Sequence, residues 1–363
     1  MNLLGLLIII LVILFSPYLA TAFLIFTKSK KPEPIKRNTE YRPRVTVFLP
    51  TYNEQDHIRN KLENLLNQTY LPSEILIIDC SSDNTPEIVR EYQKKFPFIN
   101  LVRQETRIGN AKTFNEALGM CANEILVKSD CDSLTTSENA LEELVANFGD
   151  AKVGGATGVC VSFANLEGKF RDIMTRIQTM ETNLDSTIIG HSTSLLAMRT
   201  NSTTAVNEKS MAEDTEELIL IRKKGYRTVV DPNVVSIEEL PISSKLRRKQ
   251  KSRRAEGIIA AIFDNKEMLF NRQYGRFGRI VLPFEIFILI VSPFLLGALG
   301  IVFILILLEL PPIYSLLLLA VVLLSSLVKR DLIKSILDTQ INSLLATLSL
   351  IFSRRKPVWE KVR

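Results

Sequence analysis

The sequence predicts an α/β domain flanked by apolar helices at both ends, and three observations carry that reading. Short apolar runs alternate with helix-period segments through the middle of the 363-residue chain. Acids and hydrogen-bonding side chains fall just beyond those runs. The longest apolar stretches lie near the two termini, while the middle has an ordinary soluble composition. At 46% hydrophobic and 23% charged residues, the chain has room for one large globular domain plus membrane segments.

Met1 to Phe26 is almost wholly apolar and gives way to Lys28-Ser29-Lys30-Lys31. Ala20-Thr21-Ala22 resembles a cleavage site, but no positive region precedes the apolar run and the run continues through Phe26. Residues 1–27 therefore read as a retained transmembrane anchor. The lysines then put the domain after them in the cytoplasm by the positive-inside rule. Residues 28–43, polar and bearing Pro32, Pro34 and Pro43, read as a linker.

Residues 44–240 carry the α/β pattern. Val45 to Leu49, Ile75 to Ile78, Asn100 to Val102 and the run from Glu124 to Ser129 read as strands. Asn60 to Leu66, Pro86 to Lys95, Ala111 to Met120 and Thr215 to Lys224 read as helices. Continuous apolar strands separated by helices imply a parallel sheet covered on both faces. Such a sheet binds its ligands at the carboxyl ends of its strands.

Residues 241–279 form a basic interfacial segment. Lys245, Arg247, Arg248, Lys249, Lys251, Arg253 and Arg254 cluster there and would attract anionic lipid. The basic run has no interleaved aromatics, which argues against a nucleic-acid partner. Residues 280–328 contain two apolar blocks broken at Glu309-Leu310-Pro311-Pro312 and read as an out-and-back membrane hairpin. Arg276, Arg279, Lys329 and Arg330 then lie on the same cytoplasmic side as the domain. In residues 329–363, Leu332, Ile336, Leu337, Ile341, Leu344 and Leu348 recur at helical spacing among polar residues. That pattern reads as an amphipathic helix in the interface.

Cys80, Cys121, Cys131 and Cys160 show no paired spacing, which suits a reduced setting. With His57 and His191 as the chain's two histidines, the composition argues against a histidine-based zinc site or triad.

The chemistry concentrates at three strand ends. Pro50-Thr51-Tyr52-Asn53-Glu54 follows the first strand, Asp79 with Ser81-Ser82-Asp83-Asn84-Thr85 the second, and Asp130-Cys131-Asp132 the run after Met120. Helix N-capping accounts for Asp83 or Thr85 ahead of Pro86. It does not account for Asp79 and Asp130 at the edge of the sheet. Aspartates two apart on a strand-end turn can hold one hard divalent cation, with diphosphate oxygens completing its shell.

Thr51-Tyr52-Asn53-Glu54, Asp79, the D-x-D at Asp130 and Asp132, and Glu213-Asp214 together resemble glycosyltransferase family 2, the inverting nucleotide-sugar enzymes of the GT-A fold. The resemblance covers about Arg44 to Gly257. The flanking apolar segments resemble the membrane-bound subgroup that makes polysaccharides or glycolipids. It implies that Thr51, Tyr52, Glu54, Asp79 and Asp130 hold the nucleotide of a donor, a UDP-sugar being favoured. It implies that Asp130 and Asp132 hold Mg²⁺ or Mn²⁺, and that Asp214 is the general base on a lipid or glycan acceptor. The structural alternative for Glu213 and Asp214 is that acids favour a helix N-terminus.

Gly190 and His191, with Glu213, correspond to the family's acceptor side. Gln250 and Arg253 match its Q-x-x-R-W motif, and an arginine fork suits a diphosphate. Arg254 stands where tryptophan is expected, which weakens any expectation of a long polymer product. Asn110 replaces an expected lysine, with Lys112 nearby. Two other readings compete: a related nucleotidyltransferase, and an inactive scaffold subunit of a membrane synthase. The acids at 130, 132 and 214 and the Gln250–Arg253 pair speak against both.

Overall fold

The computed structural model describes residues 2–26, 35–161, 165–188, 195–238, 244–328 and 330–352. Its centre is one eight-stranded sheet formed by β1 (Val45–Thr51), β2 (Glu74–Asp79), β3 (Ile99–Arg103), β4 (Ile125–Lys128), β5 (Ser133–Thr135), β6 (Val153–Val161), β7 (Leu196–Arg199) and β8 (Arg227–Glu238). The strand order is β3-β2-β1-β4-β7-β6-β8-β5. β3, β2, β1 and β4 are mutually parallel, as the sequence implies. The sheet then becomes mixed, because β7 runs antiparallel to both β4 and β6, and β5 antiparallel to β8.

Alternation along the strands sorts the core into two layers. Val45, Val47, Leu49, Ile75 and Ile77 point to one face and meet Ile58, Leu62, Leu65 and Val89 of the helices Ile58–Leu66 and Thr85–Lys95. Phe48, Leu76, Ile78 and Leu126 point to the other. There they meet Phe114, Leu218 and Ile259 from the helices Asn110–Met120, Glu213–Lys223 and Ser244–Asp264. The register aligns Thr51 with Asp79 and Asp79 with Arg103. The carboxyl ends of the parallel strands therefore share one rim. β1 pairs β2 on one side and β4 on the other, which makes that rim a topological switch point.

Three helices among the described residues have windows long and apolar enough to cross a membrane: Leu3–Ala20, Phe277–Glu309 and Ile333–Phe352. Pro312–Leu323 is a shorter apolar stretch. The rod Phe277–Glu309 contains two π-turns, at Phe277–Val281 and Phe287–Val291. Tyr18 of the first helix packs edge-on against Phe284 and Phe287 of the rod.

The last helix, Arg330–Phe352, has an inverted amphipathicity. Ser335, Gln340, Asn342, Ser343 and Thr347 are buried, while Leu337, Ile341 and Leu345 are exposed. Its polar face looks into the protein: the Ser292 hydroxyl donates to Gln340 Oε1 at 2.7 Å, and Lys251 pairs with Asp338 at 3.2 Å. Exposed aliphatics around a polar inner face suit a lipid surrounding, since water would favour the reverse. The chain is therefore expected to stay in the membrane pellet after an alkaline carbonate wash and to need detergent for release. Recovery in the supernatant would refute the membrane reading.

Candidate active site

Two loops make one edge of the cleft. Asn53, with φ of 54°, turns the chain sharply after β1, and its backbone N–H donates to Ser81 Oγ at 2.7 Å. The Ser82 N–H donates to Asn53 Oδ1 at 2.9 Å, and the Glu54 N–H to Thr85 Oγ1 at 2.8 Å. The Asp83 carboxylate accepts from the Thr85 N–H at 3.0 Å, the capping role expected for it. These cross-ties hold Thr51, Tyr52 and Glu54 along a cavity of about 190 Å³. Arg107 lies over the Tyr52 ring, 4.5 Å from its centroid. Gly109, at φ of 94°, admits the chain into the helix Asn110–Met120 at the cavity wall.

Asp79 behaves differently from its neighbours. Its side chain is fully buried beneath Thr51. It accepts hydrogen bonds from the Thr51 and Ser81 hydroxyls and pairs with Arg103. It thus supports the cleft from below.

Asp130, Cys131 and Asp132 continue directly from β4. Cys131 turns inward and is buried, while both aspartates are half-exposed at the cavity. Beneath the turn lies Lys61, wholly buried, donating to the Ser133 carbonyl at 2.6 Å. Burial lowers its pKa to about 8. Two half-exposed carboxylates are hard oxygen donors, so Asp130 and Asp132 fit a divalent cation completed by phosphate oxygens and water. Among the described residues no group of three His, Cys, Asp or Glu forms a closed metal cage.

Lys128, the last residue of β4, is 1% exposed and points at the start of the helix Glu213–Lys223. Its ammonium is 3.0 Å from Glu213, in close contact with Asp214, and 3.6 Å from Glu217. Burial opposes charge on all four groups, and the mutual attraction overcomes it for Lys128 and Glu213. Its own pKa stands well above the usual range, because the attraction of Asp214 and Glu213 outweighs desolvation. Glu213 is drawn below the carboxylate range by Lys128 against the opposing effect of burial. Asp214 is pushed up to about 6 by burial, with Glu213 and Asp130 adding to it and Lys128 resisting. Glu217, 3.6 Å from Lys128, is raised well above the carboxylate range by burial.

The helix Ser244–Asp264 closes the site. Gly257 lets it approach closely: a Cβ there would lie 2.6 Å from the Met211 carbonyl. Gln250 and Arg253 line the first cavity, as the motif implies. Arg253 is lowered to about 10 by burial and by the neighbouring Arg254. The expectation that the rest of this basic run faces lipid fails for Arg254. Its guanidinium bonds Glu238 at 2.9 Å, and Arg171 bonds the same carboxylate at 2.8 Å. Although burial works against it, Arg254 and Arg171 hold Glu238 down at about 2. Lys112 turns away to Glu208 at 3.1 Å and lies outside the cleft lining. Gly190 and His191 lie outside the described residues.

A second cavity, of about 210 Å³, opens beside the first. It holds Lys128, Glu213 and Asp214, and it shares Asn110, Asp130, Arg253 and Arg254 with its neighbour. Asp214 thus looks across a wall whose other side carries Thr51, Tyr52 and Asp132. Sequence reasoning does not single out Lys61 and Lys128 as site residues. Each leaves a trace there: a lysine inside an apolar strand run, and one on the buried Ile58, Leu62, Leu65 face of a helix.

Residues 46–211 match the family model for glycosyl transferase family 2. Over this region the chain is similar to glycosyltransferase family 2. The chain is 25% identical over 277 residues to the probable glycosyltransferase YdaM of Bacillus subtilis, covering 72% of this chain and 64% of that one. It is 33% identical over 135 residues to the poly-β-1,6-N-acetyl-D-glucosamine synthase of Staphylococcus aureus, covering 37% of this chain and 32% of that one. Each alignment thus spans less than two thirds of these relatives' length. Among solved structures, the mannosyltransferase PcManGT from Pyrobaculum calidifontis, in complex with GDP-Man and Mn²⁺, superimposes with a TM-score of 0.82 at 25% identity. That match covers 97% of this chain and 99% of the other, so the GT-A fold and the arrangement of terminal helices are shared.

Two variants probe the buried charges. Lys128→Met should destabilise the protein by about 3–5 kcal/mol, because Glu213 and Asp214 lose their counter-ion. Adding Glu213→Gln should recover part of that loss in denaturant titrations. Glu238→Gln should cost about 2–3 kcal/mol, less than a fully buried pair because Arg254 keeps some solvent. A loss below about 0.5 kcal/mol in either single variant would contradict the described pairing.

Proposed function

We propose that the protein is a membrane-bound inverting glycosyltransferase that moves a sugar from a nucleoside diphosphate sugar to a lipid or glycan hydroxyl at the cytoplasmic face. The observation that carries this is the placement of Asp214 in one cavity, beside the wall formed by Asp130 and Arg253 of another. In this reading the first cavity takes the donor. Thr51, Tyr52 and Glu54 hold the nucleoside end over the Asp79 support, with Arg107 and Tyr52 offering a flat surface to the base. Gln250 and Arg253 meet the diphosphate.

The acceptor enters the second cavity. Asp214 takes the proton of its hydroxyl as that oxygen attacks the anomeric carbon from the side opposite the diphosphate. The bond from the anomeric carbon to the diphosphate oxygen breaks, and the configuration inverts. A divalent cation on Asp130 and Asp132 would neutralise the charge growing on the departing diphosphate. Lys128 keeps Asp214 oriented and largely ionised near neutral pH.

The resemblance favours a UDP-sugar, whereas the structural relative that matches over nearly its whole length carries GDP-Man. The deciding experiment measures nucleoside diphosphate release by the chain in lipid nanodiscs with Mn²⁺, across UDP-glucose, UDP-N-acetylglucosamine and GDP-mannose. One donor should turn over. EDTA should abolish that turnover, and Asp214→Asn should reduce it at least 10³-fold while leaving nucleotide affinity within about twofold. Because Asp214 must be ionised to accept a proton, kcat/KM should fall about tenfold per pH unit below about 6. Turnover that survives Asp214→Asn would remove this residue as the base. Silence with all three donors and added lipid extract would favour the inactive-scaffold reading.

A further inference from the structure

The second cavity does not end at the catalytic acids. From Lys128 and Asp214 it runs past Met174, Met211 and Ile258 to Leu289 of the rod and to Thr339, Asn342 and Ser343 of the last helix. Leu289 belongs to a segment long and apolar enough to cross a membrane, and the last helix turns its aliphatics outward. One continuous space therefore connects the proposed base with the two helices best suited to touch lipid. Its walls differ in character. The floor near Asp214 is charged, one side is thioether and branched aliphatic, and the far end offers a hydroxyl, an amide and a second hydroxyl. Among the described residues the lining contains no aromatic ring on which a sugar chain could rest.

We infer that this cavity receives a membrane-anchored lipid acceptor, its hydroxyl-bearing head at Asp214 and its chain along Met174, Ile258 and Leu289 toward the bilayer. The inference rests on the transferase reading for its catalytic half and on the cavity alone for its binding half. A soluble acceptor would gain nothing from the aliphatic side. A lipid chain can pass from the bilayer onto that aliphatic side at little cost, because both surroundings are apolar.

The binding half is tested with a long-chain primary alcohol carrying a diazirine in its chain, added to the full-length protein in phosphatidylcholine vesicles. After photolysis, mass spectrometry should find adducts at Met174, Ile258 or Leu289. Leu289→Trp, which fills the cavity, should reduce those adducts at least fivefold, whereas Leu305→Trp, on the exposed surface of the same rod, should not. Ile258→Trp, from a different helix, should act like Leu289→Trp. Nucleotide affinity within about twofold of the parent certifies that each variant is folded.

The catalytic half compares transfer to vesicle lipid with transfer to free oligosaccharides. Lipid should be the product, and Leu289→Trp should lower its formation at least tenfold. Adducts confined to exposed membrane-facing positions, or transfer to soluble glycans that Leu289→Trp does not alter, would overturn the proposal and leave the transferase reading intact. Absence of any donor turnover would instead sink the transferase reading, with the adduct map still deciding the lipid site.

Discussion

A single ammonium group organises this active site. Lys128 sits at the end of a strand whose other residues are apolar, and its head lies almost out of contact with water. Burying an unpaired ammonium would be prohibitive, so the fold needs carboxylates at that spot. The helix Glu213–Lys223 supplies them, Glu213 and Glu217 lying one turn apart on one face with Asp214 adjacent. The attraction therefore fixes the rotational setting of that helix against β4, because any other setting strands the lysine. The D-x-D begins two residues after Lys128, just past the end of the same strand. The proposed base and the proposed metal ligands thus take their relative position from one ion-pair cluster.

The same logic separates the arginines of the closing helix. Arg253 and Arg254 are adjacent in sequence, yet they end with different tasks. Arg254 is committed to Glu238 together with Arg171, a pairing strong enough to hold that carboxylate near a pKa of 2 despite burial. Arg253 borders both cavities, and burial together with the charge of its neighbour depresses its own pKa. A cation held that way gains most when a diphosphate arrives beside it. Where the family places a tryptophan, this chain has built a salt bridge that joins β8, the helix Asn165–Leu184 and the helix Ser244–Asp264. The space a ring would occupy serves packing at the junction of the two cavities.

Much of this is legible from residue order, and the gaps have physical causes. The parallel half of the sheet can be read because each strand is an unbroken apolar run with polar loop residues after it, and the observed boundaries differ from those runs by one or two residues. β6 and β8 are harder to see: glycines and Thr157 dilute Val153–Val161, and Asp231-Pro232-Asn233 interrupts Arg227–Glu238. Their neighbours across the sheet make them strands. Thr51, Tyr52, Glu54, Asp130, Asp132, Asp214, Gln250 and Arg253 all reach the two cavities, since a strand end or helix start fixes where most of these side chains emerge. Asp79 does not line the cavity, because its register opposite Thr51 and Arg103 turns it under the floor. Nothing local distinguishes a strand-end acid that faces a ligand from one that supports the loop facing it.

The helix whose second residue is Asp214 is also held at its far end. Arg222 pairs with Asp185 at 3.2 Å and donates to the Tyr274 carbonyl at 3.1 Å, while the Phe277 N–H donates to the same Asp185 at 3.1 Å. Phe277 is the first residue of the rod. Three short links therefore run from the helix of the proposed base to the start of the apolar rod. Gly275, at φ of 60°, leaves room there, since a Cβ on it would sit 3.2 Å from the Asp185 carboxylate. Lys128 holds one end of the helix against β4, and Arg222 ties the other to Asp185 and Tyr274, next to the start of the rod. In the proposed reading, the height of the proposed base above the bilayer would be set by the fold, which suits an acceptor whose own depth is set by a lipid chain.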